Sequence, residues 1–152
     1  MDRQQEFLAE FELVALSAAT ARALMQHISD RLHAELTRYN WVGFYLIDPT
    51  DPNFLLLGPY SGTFTPHVRI PLNQGLCGAA ASTGKTVVVN DVTTDPRYLS
   101  GSEHTKSEII VPLSARGRVV AELDINSYFK NTWDAKERQF VERCAALVAR
   151  RI

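Results

Sequence analysis

The sequence predicts an α+β fold: an antiparallel sheet with the N- and C-terminal helices on one face and a loop-covered ligand pocket on the other. Three observations carry this. Apolar residues recur at helical spacing near both ends, and the middle of the chain reads as short consecutive strands separated by turn residues. No regular strand–helix–strand alternation runs through it, which argues against a doubly wound sheet. The 152 residues suit one domain, with a helical segment at 1–38 and a core at 39–152.

Residues 4–38 carry Phe7, Leu8, Phe11, Leu13, Val14 and Leu16, then Ala23, Leu24, His27, Ile28 and Leu32, all at helical spacing. Ser17 and Thr20 lie between the groups as candidate N-caps, so one long helix and two shorter ones are both open. Residues 42–47 are β-branched and aromatic, and Asp48-Pro49-Thr50-Asp51-Pro52 is a turn that ends them. Residues 54–57 return as the hairpin partner, and 68–70 make a short third strand. Small residues between Gly75 and Gly84 suit a short helix packed close to a sheet, and 86–89 read as a strand.

Residues 90–106 show no periodicity and form a long loop, a length that in a compact domain tends to serve function. Residues 109–113 and 119–125 make a second hairpin turned at Arg116-Gly117. Asp134 with Glu137 resembles a capping box, opening a helix whose apolar face is Phe140, Val141, Cys144, Leu147 and Val148.

The bulk numbers remove several function classes. Sixteen Lys+Arg against 17 Asp+Glu give a net charge of −1, without the basic field that a nucleic-acid partner requires. Hydrophobic residues at 45% and charged residues at 22% describe a soluble globular chain. No apolar run approaches the ~20 residues needed to span a bilayer. The start, Met1-Asp2-Arg3-Gln4-Gln5-Glu6, is too polar for a signal peptide, so no membrane partner and a cytoplasmic location are expected. Two cysteines are not a disulfide framework. Four histidines without ligand spacing give no metal site, and no cofactor is expected.

Several short motifs remain, in order along the chain. They are Asn40-Trp41-Val42-Gly43-Phe44-Tyr45, Leu57-Gly58-Pro59, Val68-Arg69-Ile70-Pro71, Gly75-Leu76-Cys77-Gly78, Asp91-Val92, Ser107-Glu108-Ile109-Ile110-Val111-Pro112 and Leu123-Asp124-Ile125. Any one alone is weak. Together they resemble a GAF domain of the free methionine-(R)-sulfoxide reductase branch. That resemblance implies a pocket lined by Trp41 and Tyr45 from the first strand and by Glu108 and Asp124 from the last hairpin.

Physical chemistry agrees with these positions. A zwitterionic ligand needs carboxylates for its ammonium and aromatic faces for its apolar part. Glu108 and Asp124 are flanked by apolar strand residues, where an unpaired carboxylate is costly to retain. Trp41 and Tyr45 share a strand face, although plain core packing also explains that.

The chain departs from the resembled pattern elsewhere. Asn126 stands where that family has a second Asp, and His67 where it has its first Cys, which leaves His67 facing the pocket by position. The loop Ser100-Gly101-Ser102-Glu103-His104 has no sulfur where the resembled enzymes keep the Cys that attacks the sulfoxide. Cys77 is then the one candidate nucleophile. It opens the small-residue helix, where a helix N-terminus can lower a thiol pKa; a buried packing thiol is the competing reading. Cys144 reads as core.

Three functions are consistent with this pattern. The first is a non-catalytic, signalling GAF module that binds a small, amino-acid-like molecule. The second is a free methionine-(R)-sulfoxide reductase working through Cys77 with an external thiol. The third is an interaction module whose terminal helices form a homodimer.

Overall fold

The computed structural model describes residues 1–152. The elements run α1 (Arg3–Ser17), α2 (Ala21–Glu35), β1 (Trp41–Ile47), β2 (Phe54–Ser61), β3 (Arg69–Pro71), α3 (Gly75–Thr83), β4 (Val87–Val89), β5 (Ser107–Ala115), β6 (Arg118–Ser127) and α4 (Ala135–Ala149). The six strands form one antiparallel sheet in the order β3-β2-β1-β6-β5-β4. The predicted α+β class, with helices at both ends of the chain, is what is found.

The N-terminal segment resolves into two helices. Thr20 is the cap that starts α2, its hydroxyl accepting from Ala23 N at 3.0 Å. Ser17 is not a cap: it ends α1, and its hydroxyl bonds back to the Leu13 carbonyl. The complete capping box lies at Asp2 and Gln5, where each side chain satisfies the other's backbone N–H. The box expected at Asp134 is half formed. Asp134 accepts from Glu137 N at 2.8 Å, but the Glu137 carboxylate turns instead to the Tyr39 hydroxyl at 2.5 Å.

The two strands of the second hairpin are longer than the sequence suggests, because Ser107, Ser114, Arg118 and Ser127 pair in the ladder despite being polar. Likewise β2 runs on through Gly58 and Pro59 to Ser61, opposite Val42. Within the expected long loop, Val92–Thr94 closes a 3-10 turn capped by the Asp91 side chain.

Each sheet face carries its own core. On one face, Val42, Phe44, Ile109, Val111, Leu123 and Ile125 meet Leu24, Ile28 and Leu32 of α2 and Phe140, Val141, Cys144 and Val148 of α4. Phe7 and Phe11 belong to the same cluster, and α1 itself lies outside, on α4 and α2 rather than on the sheet. Burying each large apolar side chain contributes about 1.5–3 kcal/mol, so this face dominates stability. The opposite face carries a smaller cluster of Trp41, Tyr45, Leu55, Ile70, Ile110, Val89 and the α3 residues Leu76, Cys77 and Ala80.

The candidate functional site, an acidic pocket holding a buried thiol

The alternation of strand side chains builds the site. In β1, Trp41, Gly43 and Tyr45 point away from the terminal helices, and the register places Asn126, Asp124 and Glu122 of β6 opposite them. Glu108 of β5 pairs with Asn126, so its carboxyl joins the same face. The Gly43 position is forced: a Cβ there would meet the Trp41 ring at 2.5 Å and Tyr60 Cβ at 2.6 Å. The indole therefore lies flat across β1, stacked on Tyr60 at 5.5 Å between ring centres.

Helix α3 closes this face from above. At Gly78, a Cβ would stand 2.7 Å from the Leu72 carbonyl, so glycine lets the first turn of α3 lie against the preceding backbone. Cys77, one residue earlier, is then pressed onto the sheet and donates to Asp124 Oδ2 at 3.4 Å.

All seven residues singled out in the sequence, Trp41, Tyr45, His67, Cys77, Glu108, Asp124 and Asn126, line one pocket of about 610 Å³ counted out to its open mouth. Two segments form its rim, around Thr63–His67 and Leu99–Thr105. Trp41 Nε1 donates to the Thr63 carbonyl at 3.0 Å and the Tyr45 hydroxyl to the His67 carbonyl at 2.8 Å. The aromatic polar tips thus hold one rim segment in place. His67 Nε2 donates to the Ser100 carbonyl at 2.9 Å and ties it to the other.

The electrostatics are unusual. Glu108, Glu122 and Asp124 are all buried on one side of the sheet, and no lysine or arginine lines the pocket. Burial pushes the Glu108 carboxyl well above the ordinary range, and the neighbouring Asp124 charge adds to the effect. Burial also raises Asp124, partly offset by hydrogen bonds from Glu108 and Cys77. Asn126 donates to Asp124 Oδ1 at 3.3 Å, so it tempers this cluster instead of adding a charge to it.

Two expectations change. The start of α3 does not activate Cys77: burial first, then the charges of Asp124, Glu122 and Glu108, push its thiol well above the usual value. The packing reading is incomplete too, because the sulfur also faces the pocket. Glu122 was missed altogether. It is wholly buried, and its carboxyl has no partner other than the Cys77 thiol. Its signal was legible as a carboxylate two residues before Asp124 on an apolar strand, hence on the same face. Cys144 sits in the core on the other side of the sheet, as the helix periodicity indicated.

Comparison with known proteins agrees with this fold. The model of the GAF domain matches residues 20–152. A free methionine-R-sulfoxide reductase of Saccharomyces cerevisiae is 34% identical over 131 residues, covering 86% of this chain and 71% of its own. The free methionine-R-sulfoxide reductase of Neisseria meningitidis, solved with its substrate, superposes with a TM-score of 0.91 at 32% identity, over 97% of this chain and 87% of that one. A type II free methionine-R-sulfoxide reductase of Thermoplasma acidophilum gives 0.80 at 34% identity, over 86% and 90%. No helix of this chain is long and apolar enough to cross a membrane. The chain belongs to the GAF-domain family, in the branch of the free methionine-R-sulfoxide reductases.

Proposed function

We propose that this chain reduces a free amino-acid sulfoxide of the methionine sulfoxide type, with Cys77 as nucleophile and an external thiol as reductant. The observation that carries the reading is the Cys77 thiol, 3.4 Å from Asp124, in an acidic pocket walled by Trp41 and Tyr45. The relatives named as such reductases support it. The ligand's ammonium would be held by Glu108 and Asp124, and its apolar tail by the two aromatic rings and the exposed Phe64 and Leu99 at the mouth.

The chemistry then balances as follows. The Cys77 sulfur attacks the sulfoxide sulfur, and the oxygen passes to Cys77 as a sulfenic acid while the ligand leaves as the thioether. One external thiol condenses with the sulfenic acid, releasing water. A second frees Cys77 and leaves as the disulfide.

A second reading, ligand binding without turnover, draws support from two observations. Burial and acidic neighbours keep the Cys77 thiol protonated, and Cys144 lies across the sheet where it cannot resolve a sulfenic acid. One pair of measurements separates the readings: turnover with a reduced dithiol, and stabilisation by methionine sulfoxide, in wild type and Cys77→Ser. Turnover that is lost in the variant supports the reductase. Zero turnover in both, with stabilisation retained, leaves the binding module; equal turnover in both, or neither turnover nor stabilisation, removes both readings.

Homodimerisation through the terminal helices is also proposed, supported by the exposure of Leu13 and Leu16 on α1, at 69% and 86%. Sedimentation at micromolar concentration tests it, a monomer being the opposing result.

A further inference from the structure

The base of the pocket gathers donors that are remote in sequence. One ligating atom from each of Cys77, Glu108 and Asp124 lies within 4.8 Å of the other two, and all three residues are buried. Glu122 supplies an independent sign. Its carboxyl is fully buried with no partner other than the Cys77 thiol, and it shares the face of Asp124 on β6. A buried carboxyl so poorly partnered is expensive to keep ionised, and a cation is the partner that relieves it.

We propose that Cys77, Glu108 and Asp124 form a binding site for one divalent transition-metal cation of the zinc type, with Glu122 as the adjacent buried carboxyl that supports the bound ion. One thiolate with carboxylate oxygens matches the preference of a borderline-soft ion for mixed sulfur and oxygen donors. Magnesium and calcium, which take oxygen shells of six or more, are poorly served by a sulfur at the centre of the set. Binding replaces protons: Cys77 loses its thiol proton to solvent, and so does any carboxyl that is protonated before it ligates. The histidines play no part in it. The ion would occupy the carboxyls that an ammonium group would use and would cap the sulfur, so metal and amino acid exclude each other. The site stands whether or not Cys77 reduces anything.

The test uses the full chain and metal alone. Zinc titrated calorimetrically in two buffers of different ionisation enthalpy should bind one ion per chain with proton release, and magnesium should give no such heat. Cobalt(II), as a coloured substitute, should show a thiolate-to-cobalt charge-transfer band. That band should vanish in Cys77→Ser, and Glu122→Met should weaken zinc binding by about tenfold or more. Circular dichroism establishes that each variant is folded. If Cys77→Ser fails to fold, the cobalt band in the wild type and the Glu122→Met affinity still decide. No binding at one ion per chain, binding without the cobalt band, or zinc affinity unchanged in Glu122→Met would overturn the proposal. The methionine sulfoxide assay is separate, so its failure bears on the reductase reading alone.

Discussion

The Cys77 thiol donates to the Asp124 carboxylate at 3.4 Å, joining the first turn of α3 to the middle of β6 across 47 residues of chain. Burial holds the thiol's pKa up, and the neighbouring acid adds to that effect.

Asp124→Asn should therefore make Cys77 easier to ionise. Removing one of the negative charges that oppose the thiolate lowers its pKa, although burial, the larger cause, remains. Alkylation followed by mass spectrometry should show wild-type Cys77 reacting slowly near neutral pH and the variant several-fold faster. Equal rates would mean that access alone controls the thiol.

Stability should fall with rising pH because of Glu122. Its carboxyl titrates near 4.5 when unfolded and well above that when folded, so between the two values the folded state holds the extra proton. Stability from that source is full below the unfolded value and is lost as pH rises towards the folded one. Glu122→Met, similar in volume and unable to ionise, should be more stable than wild type at neutral pH by roughly 1–3 kcal/mol. Urea denaturation at neutral pH and near pH 4.5 checks this, since the advantage should shrink at the lower pH.

Gly43→Val should disturb the pocket before the fold. The new side chain enters space already filled by the Trp41 ring and Tyr60. Overpacking of this kind costs about 1–3 kcal/mol. Tryptophan fluorescence should change, and any stabilisation by ligand should disappear while the far-ultraviolet spectrum persists. A variant with wild-type ligand response would show that Trp41 can move without consequence.

Arg151→Ala should loosen the N-terminal helix. The Arg151 guanidinium donates to the carbonyls of Ala15 and Ala18, fastening the end of α1 to the chain just after α4. Losing charged hydrogen bonds of this kind costs about 1.5–3 kcal/mol, read as a lower denaturation midpoint. Arg150→Ala is the control and should stay within about 0.5 kcal/mol of wild type.

Much of this was legible in the sequence, for identifiable reasons. Helical spacing around Phe7, Phe11, Leu24, Ile28, Phe140 and Val148 marked the helices, and Arg116-Gly117 marked the second hairpin. Both depend on neighbours within a few positions. The motif run beginning at Asn40 indicated, by its resemblance to the family, seven of the residues that line the pocket, five of them on strands whose period of two sets their face.

What the sequence could not supply is the surroundings of each group. Local position left Cys77 open between a thiol activated by the helix start and a buried packing thiol. Burial first, then the charges of Asp124, Glu122 and Glu108 from β6 and β5, decide for the second by raising the thiol's pKa. Glu137 likewise left its expected cap for Tyr39, 98 residues away. Strand faces and helix stripes are set by backbone periodicity and so can be read along the chain. Charge states and hydrogen-bond partners are set by burial and by residues brought together from afar, and those only the tertiary structure decides.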